Sequence, residues 1–406
     1  MRILFVHQNF PGQFVHLAAT LATRKHEVVA LAINKRSRLP HIKTIYYQPQ
    51  HGSSQETHFL AQDFETKSIR AQACANAAAQ LKKDGFCPDV IYAHTGWGES
   101  LFLKEVWPQA VLLGYFEFYY HPQGADYGFD PEFSSLSLES AMRIRAKNAS
   151  QLLALEQADY GISPTQWQWS TFPSVYQDKI SVIHDGIDTA RVRPDATVKM
   201  QMARNNIALT VHDEVITFVS RNLEPCRGYH RLVRALPEIM ARRPKAHVLI
   251  VGGDGVSYSA PAADGQTYRQ MFLEEVKSQV DRSRIHFLGK VPYEDFICVL
   301  QLSSVHIYLT YPFVLSWSML EAMAAQALVV GSATAPVTEV IRHGKNGLLV
   351  DFFSMEELVN AVCEVLEHPD RMLEIRQRAR QTIVERFDLR SVCLSRQIEM
   401  IETLDF

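Results

Sequence analysis

Arg221 and Arg227 lie six residues apart in Arg221-Asn222-Leu223-Glu224-Pro225-Cys226-Arg227-Gly228-Tyr229, directly after the apolar run Val215 to Ser220. Two cations that bracket a strand-to-helix turn can neutralise a diphosphate leaving group, one as a guanidinium fork and the other as a second positive charge. The plain alternative is a salt-bridged surface pair. Further along, Leu309 to Ala324 reads as a strand end and loop entering a helix, with Ser316 at its start and Glu321 about one turn in. A helix N-terminus offers unpaired N–H groups and a positive dipole to a phosphate. Glu321 can accept hydrogen bonds from a ribose diol, or else it is an exposed helix glutamate with apolar neighbours in the core. Gly252-Gly253-Asp254-Gly255 follows another apolar run, and Glu339 stands on the loop before Val340. All of these groups fall at the carboxyl ends of successive strands, where open α/β sheets bind ligands, so a nucleotide site is expected there.

The elements that must position them alternate along nearly the whole chain. Short apolar runs separated by amphipathic stretches predict βαβ units and parallel sheets, an α/β protein. In the first half, strands are expected at Ile3 to His7, Glu27 to Ile33, Asp89 to Ala93, Val111 to Phe116, Asp159 to Ser163 and Ile180 to His184, with helices over Phe14 to Thr23 and Ser68 to Lys82. After His184-Asp185-Gly186-Ile187-Asp188 a polar stretch runs to about Asp213, which places a domain boundary near 190. The rhythm then restarts with strands at Val215 to Ser220, His247 to Val251, Arg284 to Phe287, Val305 to Leu309 and Leu328 to Gly331. Helices are expected over Gly228 to Arg242 and Ser318 to Gln326, and again over about 354 to 406.

A length of 406 residues exceeds one compact core, and 47% hydrophobic with 21% charged residues is the composition of an ordinary globular enzyme. A net charge of -3 gives no basic excess for nucleic acid. The six cysteines form no C-x-x-C pair, which predicts reduced packing thiols and favours the cytoplasm. No apolar run approaches the roughly 18 residues of a membrane span, and the four apolar residues Ile3 to Val6 fall short of a secretory signal. Asn148-Ala149-Ser150 fits a glycosylation sequon by accident. P-loop and G-x-G-x-x-G signatures are absent, as are H-E-x-x-H, G-x-S-x-G and D-x-D, so neither an ATPase nor a dinucleotide oxidoreductase is expected, and neither is metal catalysis. Lys35-Arg36-Ser37-Arg38, with Lys43 nearby, is a basic cluster that reads as a solvated loop or as a contact to anionic headgroups.

The order Arg221…Arg227-Gly228, Gly253-Asp254-Gly255, Phe287-Leu288-Gly289, Leu320-Glu321-Ala322-Met323-Ala324, Pro336…Glu339 and Asn346-Gly347-Leu348 resembles family 4 of the retaining glycosyltransferases (glycosyl transferases group 1). The resemblance covers nearly the whole chain and implies the GT-B fold, two Rossmann-like domains facing each other across a cleft. It implies an acceptor domain over 1–190, a nucleotide-sugar donor domain over 191–385, and a C-terminal helix over 386–406 packing back on the N-terminal domain. In that family the Arg and Lys after the first strand of the second half hold the diphosphate, and a Glu-x7-Glu motif contacts donor sugar and ribose. Here Arg227 stands where Lys is usual, Glu321 matches the second Glu, and Phe313 replaces the first. Val314 to Trp317 replace a Gly-Phe-Gly-Leu loop, so Ser316 joins Arg221, Arg227, Gly253, Asp254 and Glu321 among the implied donor-binding residues.

The first half resembles the family more loosely. Phe10-Pro11-Gly12-Gln13-Phe14 takes the place of its Gly-rich first loop, where Gly12 can admit a phosphate or sugar close to the backbone, or is a simple βα turn. Asp89 to His94 resembles the family's Asp-x-x-x-x-His strand end, which implies a catalytic His94 unless it merely caps the strand. Glu117, in Phe116-Glu117-Phe118-Tyr119-Tyr120, occupies the place of an active-site histidine. A carboxylate there can stabilise an oxocarbenium-like centre or pair with an arginine of the fold. The implied activity is transfer of a hexosyl group from a nucleoside diphosphate sugar to a hydroxyl of a glycan or lipid-linked acceptor, with no metal and no cofactor beyond the donor substrate. A cytoplasmic protein, possible at the inner membrane face as a peripheral one, goes with this. The alternatives are a non-catalytic partner on the same fold, and a sugar-nucleotide epimerase or phosphorylase.

Overall fold

The structure, a computed structural model, describes residues 1–35, 39–134, 136–202, 207–262 and 265–404. It divides the chain into two compact units, residues 1–186 with 389–406, and residues 187–388.

The first unit is a seven-stranded parallel sheet: β1 (Arg2–Val6), β2 (Glu27–Ala32), β3 (Lys43–Tyr46), β4 (Val90–His94), β5 (Val111–Tyr115), β6 (Tyr160–Ser163) and β7 (Ile180–Val182), in the order β3-β2-β1-β4-β5-β6-β7. Strands β1, β4 and β5 are buried on both faces, which explains their unbroken apolar runs. Helix α1 (Val15–Thr23) covers one face and α2 (Gln62–Lys83) the other. The late helix Leu394–Glu402 lies against α1, puts Ile398 and Ile401 into its core, and pairs Glu402 with Arg24 at 2.9 Å.

The second unit holds β8 (Lys199–Met202) and β9 (Ile207–Thr210), an antiparallel pair in the stretch expected to be merely polar. Its main sheet comprises β10 (Val215–Asn222), β11 (His247–Gly253), β12 (Ile285–Gly289), β13 (Val305–Tyr308), β14 (Leu328–Ser332) and β15 (Leu348–Val350), parallel in the order β12-β11-β10-β13-β14-β15. Helix α3 (Tyr229–Arg242) follows β10, and α4 (Trp317–Ala324) follows β13. Ile187 bridges Asp388, so the chain enters and leaves this unit at adjacent points.

In each sheet the order reverses beside the first strand, between β1 and β4 and between β10 and β13. Connections diverge at such a point and leave a crevice at the strands' carboxyl ends. Cys74, Cys226, Cys363 and Cys393 are buried free thiols, in line with packing roles. Asn148 is buried with its amide spent on the backbone of Tyr120, which leaves the sequon inaccessible. Lys35 approaches the ring of Tyr46, Lys43 opens β3, and Arg36, Ser37 and Arg38 lie outside the described residues. Among the described residues no helix is long and apolar enough to cross a membrane.

Candidate active site

At the β1/β4 crevice the first residue beyond β1 is His7, only 3% exposed. Its Nδ1 accepts the Asn9 N–H at 2.9 Å, and its Nε2 meets Gln13 Oε1 at 2.8 Å. Burial lowers its pKa to about 4, so the ring is neutral near pH 7, and with Nδ1 accepting, its proton sits on Nε2. Gln13 Nε2 then donates to Glu117 Oε1 at 3.3 Å. Gly12 makes room for this histidine: at φ +47° it takes the left-handed conformation, and a Cβ there would lie 2.4 Å from the His7 ring.

His94 ends β4 at 1% exposure, stacked on Trp97 with centroids 4.0 Å apart. Its Nδ1 accepts the Gly96 N–H at 3.1 Å, and burial, with His7 nearby, holds its pKa well below the usual value. The neutral ring therefore carries its proton on Nε2, which has no hydrogen-bond partner among the described residues and lies 3.8 Å from Glu117 Oε2. His94 is thus built as a donor and has no free ring nitrogen to act as a base. Glu117 sits two residues beyond β5 with its side chain about one-third exposed (32%), and its backbone oxygen accepts from Gln168 Nε2 at 2.6 Å.

In the second unit Arg221 is the penultimate residue of β10, its side chain exposed and without an ion-pair or hydrogen-bond partner among the described residues. Arg227 is not part of a surface pair either. Its Nη1 donates to Thr310 Oγ1 and to the Val314 carbonyl, each at 3.0 Å, and its guanidinium faces the rings of Tyr258 and Phe313. It ties the turn after β10 to the loop that enters α4. Gly228 (φ +71°) lets that turn close, since a Cβ there would lie 2.2 Å from Leu309 Cβ. Ser316 caps α4: its Oγ accepts the Ser318 N–H at 3.3 Å, while its own N–H donates to Tyr308 Oη at 2.8 Å.

Glu321 is neither exposed nor free. At 6% exposure it accepts a 2.6 Å hydrogen bond from the Tyr293 hydroxyl, and burial, opposed by that bond and by Arg191, raises its pKa to about 7. On the loop after β11 the Asp254 carboxylate pairs with Arg269 at 2.8 Å. At Gly253 the space of a Cβ is filled by Lys290 Cε at 2.6 Å and Asn222 Oδ1 at 2.7 Å. Lys290 is an exposed cation beside this loop that sequence reasoning passed over, although it directly follows Phe287-Leu288-Gly289. Glu224, fully buried, accepts the N–H groups of Ser257, Tyr258 and Ser259 and so sets Tyr258 beside Arg227. Phe313, 4% exposed, packs edge-on against Tyr258 at 4.9 Å. Glu339 lies at the end of a short helical turn, its carbonyl accepting from Arg386.

Residues 24–192 match the model of the glycosyl transferase family 4 group, and residues 202–382 that of the glycosyl transferases group 1. A D-inositol 3-phosphate glycosyltransferase of Corynebacterium efficiens is 31% identical over 176 residues, 43% of this chain and 39% of that protein. The chain thus matches less than half the length of that relative. Among solved structures, sucrose-phosphate synthase of Thermosynechococcus elongatus superposes with TM-score 0.74 at 19% identity, over 99% of this chain and 98% of that one. Anabaena HepE in complex with UDP-glucose gives TM-score 0.68 at 19% identity, over the whole of both chains. At such identities the likeness concerns the fold, two Rossmann-like units of the GT-B class.

Proposed function

Because the chain belongs to the glycosyl transferase families whose models match its two halves, we propose that it transfers a hexosyl group, with retention, from a nucleoside diphosphate sugar to a hydroxyl of a glycan or glycolipid. The observation that carries this reading is the tie from Arg227 to Thr310 and Val314, which brings the cationic end of β10 beside the loop into α4. The uncompensated guanidinium of Arg221 is suited to the diphosphate, and Glu321 to the ribose diol. In the transfer the bond between anomeric carbon and phosphate oxygen breaks, a bond to the acceptor oxygen forms on the same face, and the acceptor proton leaves with the diphosphate. Cationic side chains offset the leaving-group charge in this scheme, and Glu117 favours positive charge at the anomeric carbon. A relative named as a D-inositol 3-phosphate glycosyltransferase, and the fold shared with HepE, whose structure holds UDP-glucose, support the donor class.

The test is a thermal-shift panel of UDP-, GDP- and ADP-glucose followed by product analysis with glycan and glycolipid extracts. A ligand at 100 times its dissociation constant adds about 2.7 kcal/mol, which is readily seen. No shift with any nucleotide sugar would refute the reading. A second reading, a nucleotide-binding partner without transfer, is favoured by Phe313, which fills the place of the family's first glutamate with a buried ring. Tight nucleotide binding with no turnover on any extract would select it.

A further inference from the structure

Three donor–acceptor steps run in one direction from the end of β1 to the segment after β5. The Asn9 N–H donates to His7 Nδ1, the His7 Nε2–H to Gln13 Oε1, and the Gln13 amide nitrogen to Glu117 Oε1. We infer that His7 and Gln13 are positioning residues for Glu117: the histidine, locked in one tautomer by a backbone N–H, turns the Gln13 amide so that its NH2 end meets the carboxylate. This rests on the role proposed for Glu117.

A glutamine amide by itself has two orientations of nearly equal shape, and only its hydrogen-bond partners choose between them. Were His7 protonated on Nδ1 instead, the Asn9 N–H would face another N–H, and His7 Nε2 would demand the amide nitrogen of Gln13. The Gln13 carbonyl oxygen would then confront the carboxylate oxygen of Glu117. The backbone around Asn9 excludes that arrangement. Gly12 belongs to the same device, since only a residue without Cβ lets the His7 ring lie where it reaches Gln13.

On the other side of the carboxylate, His94 repeats the pattern. A backbone N–H, that of Gly96, occupies Nδ1, and the buried Nε2–H lies 3.8 Å from Glu117 Oε2. Two histidines, each with its proton fixed by the turn that follows its own strand, therefore stand on either side of one carboxylate: His7 orients the Gln13 amide that donates to Oε1, and His94 Nε2 lies near Oε2, beyond hydrogen-bond distance. Hydrogen bonds to the ionised form stabilise it and restrict its rotation. Titratable groups that stand around Glu117 include His7 from the end of β1, His94 from β4, and Tyr115 from β5, whose hydroxyl donates to Asp185. Each histidine keeps a backbone N–H on its Nδ1 and its proton on Nε2.

The experiment uses the full chain, selectively labelled, without ligand first. Side-chain 15N spectra of the wild type should show His7 and His94 as Nε2–H tautomers at pH 7. The 13C carboxyl titration of Glu117, assigned by Glu117→Gln, should move to higher pH by about half to one unit in Gln13→Met and in His7→Phe. UDP-glucose hydrolysis, followed in parallel, should lose about tenfold in kcat in both variants with KM nearly unchanged. An Nδ1–H tautomer at His7, or an unmoved Glu117 midpoint in a folded Gln13→Met protein, overturns the inference. Should Gln13→Met not fold, the wild-type tautomers and the Gln13→Asn titration decide it. A moved midpoint with no hydrolysis of UDP-glucose in the wild type would uphold the positioning and count against the proposed donor chemistry.

Discussion

Replacing Glu321 by glutamine should stabilise the empty protein above pH 7 and weaken its hold on a nucleotide. The carboxyl is 6% exposed, and its pKa rises from 4.5 to about 7, chiefly because burial disfavours the charge. A carboxyl whose folded pKa is raised binds more protons folded than unfolded between the two values, so stability declines as pH climbs from about 4.5 to 7 and then levels off. At about 1.4 kcal/mol per unit this is on the order of 3 kcal/mol at pH 8, an upper bound. Glutamine keeps the shape and can still accept from the Tyr293 hydroxyl, but carries no charge to desolvate. Melting curves at pH 5 and pH 8 should show little difference between Glu321→Gln and wild type at the lower pH. At the higher one the variant should gain several degrees, at roughly 2–4 °C per kcal/mol for a domain of this size. Titration with UDP should show the opposite trend, a loss of about tenfold or more if a charged oxygen holds the ribose diol. A variant that melts lower than wild type at both pH values and binds UDP normally would show that the carboxylate is a structural part of α4 and nothing else.

Arg221→Ala should weaken UDP binding by about one to two decades, the worth of a charge-assisted contact, and leave the melting temperature within a degree or two, since the side chain is exposed. Arg227→Ala should lose binding and also about 2–3 kcal/mol of stability, because Thr310 and the Val314 carbonyl lose their donor; calorimetry and thermal melts on the pair separate the two roles, and equal melting behaviour would contradict them. Gly12→Ala should cost about 2 kcal/mol or more, from a left-handed alanine and its contact with His7, and a melt shifted by less than a degree would show that the turn relaxes freely.

The strands that carry both sites were legible because doubly buried parallel strands are mostly apolar, as β1, β4, β5 and the first half of β10 are. The edge strand β3 and the β8–β9 pair were not, since polar residues interrupt their runs, and β15 was not because three apolar residues are too short a run to stand out. Arg227 was legible as a cation after β10, but its attachment to the α4 loop depends on a neighbour that the sheet order supplies. The burial of Glu321 had a signal: Met319, Leu320, Ala322 and Met323 surround it on every side of the helix, and a helix apolar all round is an interior one. The pairing of Asp254 with Arg269 was not legible, because that arginine arrives from a helix that no local pattern connects to the loop. His7 looked like the polar end of a strand, and only the fold brings Gln13 and Glu117 to it.

The adjacent crossing at Ile187 and Asp388 makes the second unit an insertion within the first, and this bears on the order in which a ribosome delivers the parts. Residues 187–388 emerge as one continuous piece and can complete their sheet while the first unit still lacks the helix Leu394–Glu402. At about 5–20 residues per second, roughly ten to forty seconds of synthesis separate the end of β7 from that helix. Throughout that interval the outer side of α1, and the part of the core that Ile398 and Ile401 will close, face solvent or a chaperone. The half that appears first from the exit tunnel is therefore the half that is finished last.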